Sequence, residues 1–232
     1  MLRLYPDAAE AAGTFQPSGV ASARFGGEGG DPDRSAVEAG RRARGQVRRY
    51  CAANRLNRLG TLTYAGAGCY DPLQVRADAA DFFRKLRERH NEAFAYLWTA
   101  EWHPGGHGLH VHFAVGRFIL RSWIEDAWHR GILDIRLLGD LPSGSGALGE
   151  ARLAARYLAK YVSKSPSAAS GLHRYEVAQG FQPRRETIHA ATAVEALDEA
   201  SARLRAEPAR VWWSRDAAEW HGPPAVWASW DA

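Results

Sequence analysis

The chain has 232 residues, of which 46% are hydrophobic, and a formal net charge of +4 at pH 7. This content suffices for one substantial core, and the two cysteines, Cys51 and Cys69, are too few and too widely spaced for a disulfide framework or a zinc motif. No stretch reaches the roughly 18 apolar residues of a membrane span and the N-terminus has no apolar signal-peptide core, so we expect a cytoplasmic protein.

The N-terminal part of the chain divides into a polar stretch and a basic one. Residues 1–34 are rich in Gly, Ala, Ser, Pro and Asp, which predicts a flexible arm. Ser35 and Glu38 then have the spacing of a capping box, which predicts a basic helix over residues 35–58. Its arginines are Arg41, Arg42, Arg44, Arg48, Arg49, Arg55 and Arg58. We predict that they contact the phosphates of nucleic acid, and a solvated helix face is the alternative that charge alone allows.

Hydrophobic periodicity predicts alternating strands and helices from residue 59 onward. RLGTLTY predicts a strand at 59–64, and DPLQVRADAADFFRKLRERH predicts a helix that starts at Asp71 and Pro72. FAYLWTAEW and LHVHFAVG predict two strands that the turn HPGGHG joins into an antiparallel hairpin. The stretches ILRSWIEDAWHR, GILDIRLL and EARLAARYLAKYVSKS predict a helix, a strand and another helix.

This order of elements predicts an α+β domain at residues 35–180. The expected architecture is a ferredoxin-like, split βαβ antiparallel sheet with helices on one face. HRYEVAQ predicts an added edge strand. Residues 181–232 are predicted to form a helical extension rich in tryptophan, whose rings we interpret as packing in preference to a base-stacking surface. These tryptophans are Trp212, Trp213, Trp220, Trp227 and Trp230.

The stretch HGLHVH places two histidines on one side of a predicted strand. His110 and His112 are two positions apart, so their imidazoles project to the same face and can share one divalent ion. Glu101, at the end of the preceding strand, faces them if the hairpin pairs closely, which completes a site suited to Mg²⁺ or Mn²⁺. His103 and His107 in the turn compete for the third position. A packed or solvent-facing histidine pair is the alternative.

A second reactive cluster lies in RYLAKYVSK. Tyr157, Lys160, Tyr161 and Lys164 fall at helical spacings of three and four, so they share a face, while apolar residues on the opposite side can pack against the sheet. An amphipathic helix with exposed side chains is the simplest alternative. Together with the histidines, the cluster predicts attack of a phenolate on phosphorus, assisted by a metal ion and an ammonium group. The product is a phosphotyrosine link.

Three ordered pieces between residues 58 and 164 resemble the HUH endonucleases that initiate rolling-circle replication. GTLTY is similar to the first motif of that family, HGLHVH to its His-hydrophobic-His motif, and YLAKYVSK to its tyrosine motif. The pair of tyrosines resembles the two-tyrosine initiators of single-stranded DNA phages and related plasmids. The resemblance implies metal ligands, nucleophiles and phosphate-stabilising helpers, which are in that order His110, His112 and Glu101, then Tyr157 and Tyr161, then Lys160 and Lys164.

The resemblance also implies the reaction. Such an enzyme nicks single-stranded DNA at a replication origin, stays attached to the 5′ phosphate, leaves a 3′ hydroxyl for a polymerase and later joins the ends. No G-x-x-x-x-G-K-[ST] phosphate-binding loop occurs in the sequence, so host helicase and polymerase are the expected partners. Two alternatives stay open: a transposase of the same superfamily, and a noncatalytic single-strand-binding module built on the basic helix and the tryptophan-rich tail.

Overall fold

The computed structural model describes residues 1–15, 32–137, 146–162, 173–218, 220 and 222–231. The chain divides into two compact units, one formed by Met1–Val37 with Pro183–Ala232 and the other by Glu38–Gln182. Each unit contains a five-stranded antiparallel sheet. Within the described ranges, no helix combines the length and the apolar character that crossing a membrane requires.

Strands and helices alternate along most of the described chain. The strands are β1 (Leu2–Tyr5), β2 (Glu10–Thr14), β3 (Arg58–Leu62), β4 (Tyr96–Trp102), β5 (Leu109–Val115), β6 (Leu133–Leu137), β7 (Glu176–Val177), β8 (Glu186–Ile188), β9 (Arg210–Trp213) and β10 (Ala225–Ser229). The α-helices are α1 (Pro32–Ala53), α2 (Pro72–His90), α3 (Arg121–Trp128), α4 (Gly146–Val162) and α5 (Ala193–Leu204).

The sheet of the larger unit has the strand order β6-β3-β5-β4-β7. Strand β5 lies between β3 and β4 and runs antiparallel to both, while α2 connects β3 to β4. This arrangement is a split βαβ unit, and β6 pairs with the outer side of β3. The predicted α+β fold with a ferredoxin-like antiparallel sheet is confirmed.

Helices cover both faces of this sheet, whereas the sequence predicted helices on one face. Helices α2 and α3 pack on the face that carries Phe113, with side chains such as Phe82 in the shared core. Helices α1 and α4 pack on the face that carries Ala114, through side chains such as Val47 and Leu158. Successive strand residues point to opposite faces, so β5 is buried on both sides by two separate cores.

Two helix boundaries illustrate where local signals act and where they do not. Asp71 caps α2 as predicted, because its side chain accepts a hydrogen bond of 2.9 Å from the Leu73 N–H. The basic helix differs from its prediction at both ends. Helix α1 begins at Pro32, before the expected capping box at Ser35, and it ends at Ala53 rather than at residue 58. Arg55 takes a left-handed backbone conformation with φ of 53°, which stops the helix before β3.

The smaller unit corrects two predictions. Residues 1–15 are not a flexible arm, because β1 and β2 pair with each other and with β8 and β10. Residues 16–31 lie outside the described residues. The extension after residue 180 is not purely helical, since it contributes α5 and three strands to the sheet order β8-β1-β2-β10-β9. Its Trp230 is fully buried and donates an indole hydrogen bond to the Ala206 carbonyl, as the packing interpretation expects.

Candidate active site

The β4-β5 hairpin sets the positions of the acidic residue and the two histidines. Its register places Glu101 opposite His110 and Thr99 opposite His112. On the other side of β5, Thr61 of β3 lies opposite His112. Paired and alternate residues of a sheet share a face, so these side chains lie on the face that α1 and α4 cover. The structure therefore brings together the three residues that the sequence analysis named as metal ligands.

His112 is buried and makes a polar contact through each ring nitrogen. Its Nε2 lies 3.2 Å from Glu101 Oε2, and its Nδ1 lies 3.1 Å from Thr61 Oγ1. A carboxylate only accepts hydrogen bonds, so Nε2–H donates to Glu101 and Nδ1 accepts from the threonine hydroxyl. Burial, followed by the charge of nearby His110, lowers the His112 pKa to about 4. The imidazole is therefore neutral at pH 7, which is the protonation state that binds metal ions.

His110 has one ring nitrogen that no described protein group satisfies. Its Nδ1 lies 3.4 Å from Thr63 Oγ1, whereas its buried Nε2 has no hydrogen-bond partner among the described residues. Burial, then the charges of His103 and His107, lowers the pKa of His110. A buried polar atom without a partner costs about 1–3 kcal/mol, so a ligand for this nitrogen would stabilise the site.

The turn histidines are held by other contacts. The His103 ring stacks on His110, with 4.4 Å between ring centroids, and its Nδ1 accepts a hydrogen bond from the Gly105 N–H. The Nε2 atom of His107 lies 3.0 Å from the Tyr64 carbonyl oxygen. Of the three side chains that compete for the third ligand position, Glu101 is the one whose polar atom contacts a ring nitrogen of the histidine pair.

The donor chemistry of this pair fits a divalent cation. His112 Nε2 and Glu101 Oε2 are 3.2 Å apart, close to the separation of about 3 Å between adjacent ligands of an octahedral ion with bonds of about 2.1 Å. The unpartnered nitrogen of His110 supplies a third donor on the same face. Among the described residues, no three or more His, Cys, Asp or Glu side chains already stand close enough together to hold a metal ion. The His112–Glu101 pair is therefore the core of any such site.

Helix α4 brings both tyrosines to the histidines. The Tyr161 ring stacks on His112 with 3.8 Å between centroids and 13° between ring planes. Its hydroxyl donates a hydrogen bond of 2.7 Å to the Tyr157 hydroxyl. Two clusters that are far apart in sequence thus meet on one face of the sheet.

The two tyrosines differ in exposure, which the sequence did not predict. Tyr157 is 39% exposed, whereas Tyr161 is 8% exposed and points toward the sheet. The sequence analysis placed both rings on the side of the helix away from the packing face. Position 161 lies three residues after buried Leu158 and next to buried Val162, so it belongs to the edge of the packing face.

The lysines of the tyrosine motif have different standings. The exposed Lys160 has its Nζ 5.9 Å from the centroid of the Tyr161 ring, so a positive charge lies beside the phenols. Lys164 lies outside the described residues.

The arginines predicted to contact DNA do not form one uniformly exposed surface. Of the seven, Arg41 and Arg42 are exposed, and the remaining five are partly buried. Arg42 lies 3.9 Å from Glu38 on the next turn of α1. The partly buried arginines are Arg44, Arg48, Arg49, Arg55 and Arg58. Helix α1 also buries its apolar face, which turns part of the arginine series toward the protein.

Two threonines near the histidines were not singled out by the sequence analysis. Thr61 and Thr63 contact His112 and His110 respectively, and each orients one imidazole. A signal was present in GTLTY, because its threonines alternate with the same period of two as the histidines of HGLHVH.

The lowered pKa of His112 predicts a pH-dependent stability. Below pH 6.5 the unfolded histidine binds a proton that the folded one does not bind until about pH 4, so the free energy of unfolding falls as the pH falls through this window. We expect a contribution of up to about 3 kcal/mol. Urea unfolding in EDTA at several pH values, with His112→Gln as comparison, measures it. Parallel pH profiles for the two proteins would contradict this expectation.

Comparison with known families links this site to replication. Residues 57–166 match the family described as Replication-associated protein ORF2/gene 2 protein. The match covers slightly less than half of the chain, and it includes the histidine strand and both tyrosines. No curated protein and no solved structure matches the chain. The match supports the role of a replication initiator.

Proposed function

We propose that this chain is a metal-dependent endonuclease and strand transferase that nicks single-stranded DNA at a replication origin and initiates rolling-circle replication of a plasmid or phage. One observation carries the proposal: the Tyr161 ring stacks on His112 while its hydroxyl donates to Tyr157. Two phenols, two imidazoles and a carboxylate thereby lie at one place, which is the set of groups that phosphoryl transfer to tyrosine requires.

His110, His112 and Glu101 would hold the metal ion, for which Mg²⁺ or Mn²⁺ fits the mixed nitrogen and oxygen donors. When bound, the ion supplies Lewis-acid polarisation of a phosphate oxygen. Thr61 and Thr63 hold the two imidazoles in orientation through their Nδ1 atoms, which leaves each Nε2 directed away from the threonines.

Tyr157 is the first nucleophile in this proposal. It is the more exposed phenol, so DNA reaches it without movement of the sheet, and its oxygen accepts the hydrogen bond from Tyr161. A hydrogen bond donated to a phenolate stabilises the charged form and favours loss of the proton from Tyr157 to solvent.

The reaction conserves the phosphodiester as a tyrosyl ester. The Tyr157 oxygen attacks phosphorus, the bond from phosphorus to the 3′ oxygen breaks, and the leaving 3′ oxygen takes up a proton. The products are a 5′-phosphotyrosine link and a free 3′ hydroxyl. Attack of a 3′ hydroxyl on the link reverses the step and joins DNA ends, and Tyr161 is available as the acceptor of a second strand. The charge of Lys160, with Lys164 further along the chain, stabilises the phosphate.

The partners of this activity follow from what the chain supplies. Single-stranded DNA at the origin is the substrate, and the 3′ hydroxyl primes a host polymerase. Because the sequence has no phosphate-binding loop of the helicase type, a host helicase separates the strands.

A covalent-adduct assay tests the proposal. Full-length protein is incubated with Mn²⁺ and pools of single-stranded oligonucleotides carrying a 5′ or a 3′ label, and the products are separated on a denaturing gel. We expect the DNA on the 3′ side of the nick to migrate with the protein, whereas the fragment that ends in a 3′ hydroxyl stays free. If a folded protein yields no adduct with any pool, the noncatalytic single-strand-binding module is favoured instead.

Phosphate contacts by α1 predict a salt-dependent affinity. We expect the Arg41→Gln, Arg42→Gln double variant to reduce the slope of log affinity against log salt by about 1 to 1.5, because each contact to single-stranded DNA contributes about 0.7. Fluorescence anisotropy of a labelled oligonucleotide over a KCl series measures the slope. Arg121→Gln is the matched control, since this exposed arginine lies on α3, which packs on the other face of the sheet. An unchanged slope in the double variant would exclude these phosphate contacts.

A further inference from the structure

Two exposed aromatic side chains lie at the end of the sheet that carries the candidate active site. Tyr70 is 55% exposed and Trp102 is 43% exposed. Trp102 is the last residue of β4, directly between Glu101 and His103 in the chain, and its register partner is Leu109, next to His110. Tyr70 lies in the loop that leads into α2, and its ring centroid is 6.2 Å from that of Trp102.

The two rings retain accessible faces. Their planes are inclined by 34°, and their separation exceeds the 3.7 Å of the directly stacked Phe83 and Tyr96 in the core. The Tyr70 and Trp102 rings therefore do not cover each other, and large aromatic surfaces of this kind are otherwise mostly buried.

The backbone beneath these rings is held closely, so the rings have fixed positions. The loop containing Tyr70 contacts the β4-β5 turn through the Leu109 N–H, which donates to the Cys69 carbonyl at 2.7 Å, and through the Tyr70 hydroxyl, which donates to the Gly106 carbonyl. Gly68 and Gly108 allow this close approach, because a Cβ at either position would clash with a backbone oxygen of the opposite segment. A rigid aromatic pair loses little conformational entropy when it binds a planar ligand.

We propose that Tyr70 and Trp102 form a base-stacking platform for the single-stranded DNA that passes the active site. The inference rests on the proposed function, because it takes its ligand from the substrate of the neighbouring site. A strand whose phosphate lies beside Glu101 and His110 extends over the end of β4, where the next residue is Trp102. Exposed aromatic rings bind successive bases without sequence preference, since every base has a stacking face.

The test separates stacking from phosphate contacts by using two labelled strands of equal length, (dT)20 and a 20-mer of abasic sites. Both carry the same phosphates, and only the first carries bases. The full-length protein with Tyr157→Phe and Tyr161→Phe binds each strand in fluorescence anisotropy titrations with Mn²⁺, so no cleavage interferes. Further variants in this background are Trp102→Leu, Tyr70→Leu and the ring-retaining Trp102→Tyr.

We expect Trp102→Leu and Tyr70→Leu each to weaken (dT)20 binding by roughly 5- to 100-fold and to leave binding of the abasic strand unchanged. Trp102→Tyr retains most of the affinity for (dT)20. Phe118→Leu serves as the matched control, because this exposed ring follows β5 at the opposite end of the sheet and should affect neither strand. Thermal melting establishes that each variant is folded.

Equal losses on both strands, or no loss on (dT)20, would overturn the stacking proposal. The adduct assay distinguishes this failure from failure of the proposed function. If adducts form but the base-dependent loss is absent, only the platform is wrong. If the base-dependent loss is present but no adduct forms, the platform stands and the nicking activity is wrong.

Discussion

The Tyr157→Phe, Tyr161→Phe double variant is expected to form no covalent adduct, and the two single variants are expected to differ strongly from each other. Tyr157→Phe removes the exposed nucleophile, so the first cleavage falls by a factor of about 10⁴ or more. Tyr161→Phe removes only the hydrogen bond that the Tyr157 oxygen accepts, so cleavage falls by about 10- to 100-fold. Single-turnover adduct formation, followed by mass spectrometry of the DNA-linked peptide, measures both effects.

The attachment site decides whether the assigned order of the tyrosines is correct. In the wild type and in Tyr161→Phe, the first adduct should map to Tyr157. Tyr175→Phe is the matched control, because its hydroxyl contacts Gln46 and not the histidines, and it should cleave normally. A first adduct that maps to Tyr161 would reverse the order, and full activity in the double variant would remove both tyrosines from the mechanism.

Substitution of the histidine pair or of Glu101 is expected to abolish metal-dependent cleavage and Mn²⁺ binding together. His110→Ala, His112→Gln and Glu101→Gln each remove one donor, and loss of the Lewis acid lowers the cleavage rate by about 10³-fold or more. Calorimetric titration with Mn²⁺ measures binding independently of activity. The two Gln variants keep polar side chains of similar size, so the fold should persist, and thermal melting in EDTA checks this.

The turn histidines provide matched controls for this experiment. His107→Ala should keep Mn²⁺ binding, because the His107 ring nitrogen contacts a backbone carbonyl and not the donor pair. If Glu101→Gln binds Mn²⁺ normally while His103→Ala does not, then His103 and not Glu101 is the third ligand. Intact Mn²⁺ binding in both His110→Ala and His112→Gln would remove the histidine pair from the metal site.

The amino-acid sequence by itself determined the parts of this protein that depend on near neighbours in the chain. Asp71 and Pro72 mark the start of α2, since a helix cap acts within a few residues. The short turn between β4 and β5 determines their register, and with it the position of Glu101 opposite His110. The period of two in HGLHVH places both histidines on one face for the same reason.

Only the tertiary structure decided the features that depend on segments far apart in the chain. Residues 1–15 read as an arm because their partners, β8 and β10, come from the other end of the sequence. Tyr157 and Tyr161 have similar sequence surroundings, but α4 docks so that one stacks on His112 and the other stays exposed. Periodicity shows which faces of an element are apolar, whereas the burial of each side chain depends on which element packs against that face and at what angle.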